Sequence, residues 1–184
     1  YYRLMLEHIH KVLANIPRVY PDYDVKTGYE LAGFVWFQGW NDMVDGSTYP
    51  TRGQPGSYDT YSKNLAYFIR DVRRDLKAPK LPFVIGVMGA GGPIAKYGQD
   101  QKRYAGIHGE FRKAMAAPAK LSEFKGNVTA VFTENYWDLQ LSELVSRNGK
   151  VNAKRREVPN DQTLTRAQRD KIIADLTAEL VPKK

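Results

Sequence analysis

The chain has 184 residues, 42% of them hydrophobic and 26% charged, with no cysteine and a formal net charge of +8. This composition is typical of a globular domain and excludes disordered and fibrous proteins, while the lack of cysteine excludes disulfides, thiolate metal sites and cysteine nucleophiles. No stretch approaches the roughly 18 consecutive apolar residues of a membrane span, so no membrane partner is predicted. The positive charge is densest in residues 141–184, but no interleaved aromatic motif accompanies it, which argues against a nucleic-acid partner.

The hydrophobic pattern predicts helices and strands that alternate along the chain. Apolar residues at three- and four-residue steps predict a first helix from Tyr2 to Ile16. Short apolar runs rich in aromatic and branched residues predict strands covered on both faces at residues 31–37, 83–88 and 128–132. Further helices are expected over residues 58–76, with Arg73 on the exposed face, and over residues 104–115. From Leu139 onward the pattern predicts two helices, separated at Val158-Pro159-Asn160, with Thr165 as the cap of the second. Strands joined by helical crossovers predict an α/β fold with a mainly parallel sheet.

Each predicted strand ends in an unusual segment. These segments are Gln38–Asp42, Gly89–Pro93 and Thr133–Asp138, and a long loop at residues 43–57 follows the first of them. Because ligands of such folds bind beyond the carboxyl ends of the strands, we expect these three segments to form the ligand edge. The glycine-rich second segment lacks the spacing of a dinucleotide or phosphate loop and is interpreted as an edge or hinge loop.

The first segment carries the most informative chemistry. Gly39 allows close approach of the backbone to a ligand, and the amides of Gln38 and Asn41 are suited to donate hydrogen bonds to one oxygen. Acyl transfer needs such donors, because negative charge develops on the carbonyl oxygen in the transition state. The alternative is a simple strand-end turn in which Asn41 and Asp42 bond their own backbone. Composition and spacing leave both interpretations open.

A family resemblance rests on the same residues. The string Gly39-Trp40-Asn41-Asp42 resembles the Gly-x-Asn-Asp block of SGNH hydrolases, and residues 33–39 resemble the Trp-Tyr/Phe-Gln-Gly stretch of the sialate O-acetylesterase-like branch, which includes carbohydrate acetylesterases. The run Phe111–Met115 is similar to that branch's Arg-x-Ala-Gln helix, with Met115 in place of the glutamine. The resemblance spans roughly residues 30–140.

The resemblance implies a three-layer α/β/α fold and a Ser-His ester hydrolase that uses neither metal nor cofactor. Asn41 and Gln38 then become the candidate catalytic donors to the oxyanion, with Gly39 allowing the approach. The implied substrate is an acetylated carbohydrate. From the residues themselves, Trp40 and Tyr49 are candidates to stack on sugar faces and Asp42 and Asp45 to accept from sugar hydroxyls, with local packing of the aromatic rings as the alternative. A secreted or periplasmic location would suit the family, although the sequence fixes no compartment.

The departures from the family pattern predict a partial domain. No Gly-Gln-Ser-Asn or Gly-Asp-Ser block is present, Ser47 follows Asp45-Gly46 in a loop, and no histidine follows His108. We therefore expect an internal fragment, inactive alone, with a partial hydrolase-type domain at 1–140 and a basic helical tail of the same domain at 141–184. The alternative function is a non-catalytic carbohydrate-binding module that uses Trp40, Tyr49 and the long loop.

The remaining titratable candidates have simpler interpretations. His8 and His10 lie two residues apart on one helix and face different ways, so they form no metal site. His108 is a candidate base on a helix beside the Gly89–Pro93 segment, with a surface or loop-anchoring role as the alternative. Glu134 and Asp138 follow the third strand, where a carboxylate orients a histidine or, as we favour, caps the next helix.

Overall fold

The computed structural model describes residues 1–181 of the chain. The helices of this part are α1 (Tyr2–Ala14), α2 (Trp40–Val44), α3 (Asp59–Asp75), α4 (Gln99–Lys102), α5 (Ala105–Ala116), α6 (Leu139–Glu157) and α7 (Arg166–Leu180). The strands are β1 (Phe34–Trp36), β2 (Phe83–Val87) and β3 (Val128–Phe132). None of the described helices is both long and apolar enough to cross a membrane.

The three strands form one parallel sheet in the order β1-β2-β3. Phe83 of β2 lies opposite Phe34 on one side and opposite Val128 on the other. Helix α3 connects β1 to β2 and helix α5 connects β2 to β3, as parallel pairing requires. The predicted α/β fold with a parallel sheet is therefore confirmed.

One face of the sheet carries the core. Phe34 stacks on Phe83 with ring centroids 4.9 Å apart, and Phe68 of α3 packs edge-on against both rings. Ile85 and Phe111 are fully buried in the same cluster. The buried residues of α3 recur every three or four positions because that spacing places them on one side of a helix.

The other face of the sheet is open in residues 1–181. Val35 of β1 is 70% exposed and Val131 of β3 is 41% exposed, whereas the ring of Phe37 covers Gly86. The prediction that the first strand is covered on both faces is therefore wrong for this part of the chain. Of the three layers that the resemblance implies, the described residues provide the sheet and the helical layer of α3 and α5.

The two C-terminal helices pack on each other. A 3-10 turn at Val158–Asn160 separates α6 from α7, at the predicted break. Thr165 caps α7 in a capping box with Gln168, also as predicted. The division of the chain at residue 140 stays a prediction.

Two local expectations are wrong. The loop predicted from residue 43 begins later, because Met43 and Val44 belong to α2 and Met43 is buried. Arg73, expected on the exposed face of α3, is only 7% exposed. Its guanidinium donates to the carbonyl oxygen of Leu81 and to both oxygens of Asn127, which joins the chain just before β2 to the chain just before β3.

Candidate active site

Gly39 turns the chain from β1 into α2. Its φ of +147° lies in a region that favours glycine, and an added Cβ would sit 2.7 Å from Cζ of Phe111. The Tyr61 hydroxyl holds this turn, since it donates to the carbonyl oxygen of Gln38 (2.9 Å) and accepts from Nε1 of Trp36 (3.1 Å). Burial raises the pKa of Tyr61 well above its usual value, so the hydroxyl keeps its proton.

The side chains of Gln38 and Asn41 are exposed at this turn. The hydrogen bonds formed within residues 1–181 include the backbone carbonyl of each residue but neither carboxamide group. The local turn in which Asn41 bonds its own backbone through its side chain is therefore not formed. Both amides remain available to a ligand, and their catalytic role stays a prediction.

The other residues predicted to contact a sugar differ in how far they are exposed. Trp40 is exposed, whereas Asp42 is half-buried and accepts a hydrogen bond from the Tyr49 hydroxyl at 3.3 Å. Burial, and then the charge of Asp42, raise the pKa of Tyr49 to about 12. The Tyr49 ring is buried against Tyr58 and cannot stack on a sugar, so that expectation is wrong. Asp45 accepts from Ser47 and Thr48, which holds its pKa well below the usual range.

The three strand-end segments meet at one hollow. Its volume is about 340 Å³, and its lining is almost entirely apolar. The first segment and the residue before it contribute Trp40 and Phe37, the second and the residue before it contribute Gly89, Ala90 and Met88, and the third contributes Thr133, Tyr136 and Trp137. A concave, mostly apolar site with aromatic lining is typical of a small-molecule site. Gln38 and Asn41 adjoin Phe37 and Trp40 in the chain but are not among the lining residues.

Arg112 ties the second segment to the third. It is buried, and its guanidinium donates to the carbonyl oxygens of Met88 (3.1 Å), Ala90 (3.1 Å) and Gly92 (2.8 Å). Its Nη1 pairs with Oε2 of Glu134 at 2.5 Å. Glu134 thus neither orients a histidine nor caps a helix, which corrects the expectation for that residue. Its neighbour Asp138 does cap α6, accepting from the backbone N–H of Leu141.

Comparison with protein families identifies the chain. The family model described as a carbohydrate esterase, sialic acid-specific acetylesterase, matches residues 2–135. The chain belongs to this family. A search of curated proteins and a search of solved structures gave no match.

The matched range contains all three strands and most residues of the hollow, whereas Tyr136, Trp137 and the helices α6 and α7 lie outside it. The resemblance to the sialate O-acetylesterase-like branch is confirmed. Membership of this esterase family supports an acetyl-sugar esterase function in general terms and implies a carbohydrate substrate.

The described residues of this family member contain no serine hydroxyl bonded to a histidine. Nδ1 of His108 lies 2.6 Å from the Tyr97 hydroxyl, and the imidazole stacks on Tyr104. Burial, and then the charge of Arg112, lower the pKa of His108, which favours the neutral ring. Ser47 donates to Asp45 at an exposed turn. The loop-anchoring interpretation of His108 therefore fits its contacts better than a role as base.

Sequence reasoning missed the structural role of Arg112 and Glu134. Arg112 lies in the motif Phe111–Met115, but its position on the helix does not reveal which carbonyl oxygens its guanidinium binds. His8 and His10 are exposed on α1, and within residues 1–181 no three His, Asp or Glu side chains form a cluster suited to a metal ion.

Proposed function

We propose that the chain forms the oxyanion-binding and sugar-binding part of an esterase that removes O-acetyl groups from carbohydrates. The observation that supports this proposal best is the aromatic hollow at the carboxyl edge of the sheet, whose lining residues Phe37 and Trp40 adjoin the exposed Gln38 and Asn41 in the chain. Neither carboxamide has a partner among residues 1–181. Family membership supports the reaction class.

The proposed chemistry assigns the amides to the carbonyl oxygen of the acetyl ester. A serine attacks the carbonyl carbon, a histidine accepts the serine proton, and negative charge develops on the oxygen. The carboxamide N–H groups of Asn41 and Gln38 then donate to that oxygen more strongly than to the uncharged ester. Loss of one such donor typically slows an esterase or protease about 10²- to 10³-fold.

The sugar is proposed to lie in the hollow. The rings of Trp40 and Trp137 stack on its apolar faces, which places the acetyl group near the Gln38–Asn41 turn. Asp42 uses Oδ1 for Tyr49, and its second carboxylate oxygen is assigned to a sugar hydroxyl.

The chain is proposed to be insufficient for hydrolysis, because the described residues hold no serine–histidine pair. The purified chain is expected to hydrolyse p-nitrophenyl acetate at the background rate. Turnover clearly above background that a serine-directed inhibitor abolishes would show that a serine of this chain acts as a nucleophile and would contradict this part of the proposal.

Binding of a sugar tests the proposed site directly. Calorimetric titration of the chain with an O-acetylated monosaccharide and with the same sugar lacking the acetyl group is expected to show tighter binding of the acetylated form. Asn41→Ala is expected to weaken only that form, about fivefold, since one hydrogen bond is lost. Absence of binding by both sugars would contradict the proposal.

A non-catalytic carbohydrate-binding module is the second candidate function. The same aromatic hollow favours it, because stacking on a sugar needs no nucleophile. A module predicts equal affinity for the acetylated and unacetylated sugars and no effect of Asn41→Ala. The titration that tests the esterase site therefore separates the two candidates.

A further inference from the structure

Arg112 has an unusual set of partners for a buried arginine. Only 5% of the residue is exposed, and three of its bonds go to backbone carbonyls of one short segment, at Met88, Ala90 and Gly92. A fourth goes to the Tyr97 hydroxyl at 3.3 Å, and Glu134 is its one anionic partner within residues 1–181. The planar guanidinium has five N–H groups in a fixed fork, so it can hold several carbonyl oxygens in one arrangement.

The partners of Arg112 belong to two walls of the hollow. Met88, Gly89 and Ala90 line one wall, and the neighbours of Glu134 line the other, with Thr133 before it and Tyr136 after it. The two segments also touch directly, since a Cβ added at Gly89 would lie 2.4 Å from the backbone nitrogen of Glu134. The guanidinium therefore adds a buried link between the two walls, beside the hydrogen bond that the Thr133 hydroxyl donates to the Val87 carbonyl oxygen.

We propose that Arg112, paired with Glu134, is a positioning residue that preforms the sugar-binding hollow by fixing the Gly89–Pro93 segment against the Thr133–Trp137 segment. Arg112 does not line the hollow and acts through the backbone it binds. The identity of the bound sugar rests on the proposed function, whereas the positioning of the two segments does not. A hollow fixed before the ligand arrives loses less conformational entropy on binding.

Arg73 provides a matched control within the same sheet. It is equally buried, at 7% exposure, and it also binds backbone carbonyls next to β2 and β3, at Leu81 and Asn127. These groups precede the strands, so Arg73 acts at the end opposite the hollow. A substitution of Arg73 thus reproduces the loss of buried carbonyl bonds without touching the segments that line the hollow.

The test compares Arg112→Lys with Arg73→Lys, since lysine keeps the charge but replaces the planar fork of five donors by three donors on one flexible nitrogen. Hydrogen exchange is measured for peptides covering residues 88–93 and 133–137, and affinity for an O-acetylated monosaccharide is measured at a temperature where both variants are folded. Arg112→Lys is expected to accelerate exchange in both segments at least tenfold and to weaken binding about tenfold. Arg73→Lys is expected to change both quantities less than twofold, although it lowers the midpoint of urea unfolding.

Several outcomes would overturn the proposal. One is unchanged exchange of residues 88–93 in Arg112→Lys, and another is an equal loss of affinity in the two variants, which is what general destabilisation would cause. If Arg112→Lys does not fold, Glu134→Gln takes its place, because it keeps the shape of the side chain and removes only the ionic partner. It is then expected to accelerate exchange of the same two segments, and unchanged exchange contradicts the proposal.

Failure of the proposed function would look different. If the wild-type chain binds no acetylated sugar while Arg112→Lys still loosens residues 88–93 and 133–137, the ligand assignment fails and the positioning role stands. If the wild-type chain binds the sugar and Arg112→Lys binds it equally well, the proposed function stands and the positioning role fails.

Discussion

A buried arginine binds backbone carbonyl groups at each end of the β2–β3 pair, but the two ends differ in what they expose. At the amino end, Arg73 joins Leu81 to Asn127, and its guanidinium lies 5.3 Å from the ring centre of the buried Phe124. At the carboxyl end, Arg112 joins the Gly89–Pro93 segment to Glu134, but here the chain leaves an open hollow with exposed aromatic rings. The two arginines make similar bonds to carbonyl oxygens, and the two ends differ in what the adjoining segments leave exposed.

The largest effect is expected at Gly39, where the carboxyl end of β1 is most crowded. Gly39→Ala forces a β-carbon against Phe111 at a positive φ and is expected to lower the free energy of unfolding by about 3 kcal/mol. Urea denaturation measures the change. Gly98→Ala is the control, since nothing lies within 4 Å of its added Cβ, and a similar loss in both variants would contradict the role of crowding.

Removal of the Tyr61 hydroxyl tests how firmly the first segment is held. Tyr61→Phe leaves the Gln38 carbonyl and the Trp36 indole N–H without their partner, which is expected to cost about 2 kcal/mol of unfolding free energy. The exposed Tyr67 on the same helix is the control, and Tyr67→Phe is expected to change stability by less than about 0.5 kcal/mol. Equal effects would show that the turn does not depend on this hydroxyl.

The two ends of the strands also show which features of the protein the sequence could predict and which it could not. The strand, the glycine after it and the alternation of helices and strands follow from local pattern, because apolar runs and turn residues act over a few positions. The meeting of the three strand-end segments follows from parallel topology. The roles of Arg73 and Arg112 could not be predicted, since each depends on carbonyl groups whose positions only the folded backbone determines. Tyr49 was misassigned for the same reason, as exposure in a loop is a tertiary property.

Two asparagines at opposite ends of the sheet sharpen the comparison. Oδ1 of Asn127 accepts from Arg73, whereas the carboxamide of Asn41 has no partner among residues 1–181. Asn127→Ala is expected to lower the free energy of unfolding by about 1.5 kcal/mol, because a charged donor loses its partner. Asn41→Ala is expected to stay within about 0.5 kcal/mol of the wild type. Urea denaturation of the pair would contradict the account if Asn41→Ala were the less stable variant.

The smallest effect on stability is expected from protonation of His108, near the carboxyl end of the sheet. Tyr97, Tyr104 and Arg112 surround His108, whose pKa in the folded chain is lowered by burial and by Arg112. The unfolded chain therefore binds a proton first, near pH 6.5, and the contribution of neutral His108 to stability is complete above that pH. This contribution is lost as the pH falls from 6.5 through the lowered pKa.

Thermal unfolding between pH 5 and pH 8 measures this loss. His108→Asn keeps a hydrogen-bond acceptor near the Tyr97 hydroxyl but does not titrate. We expect the wild type to lose stability below pH 6.5 by more than the variant does. Identical pH profiles would show that His108 does not titrate with unfolding, and a wild type that gains stability on acidification would reverse the assigned direction.

The central claim is that an acetylated sugar binds in the hollow at the carboxyl edge, and the chain's 3 tryptophans allow a direct test. Trp40 and Trp137 line the hollow, whereas Trp36 lies in β1 with its indole N–H bonded to Tyr61. The indole N–H resonances are recorded by ¹⁵N NMR during titration with an O-acetylated monosaccharide. The account predicts saturable shifts of the Trp40 and Trp137 signals with little change at Trp36. Unchanged signals from Trp40 and Trp137 at saturating sugar would contradict it.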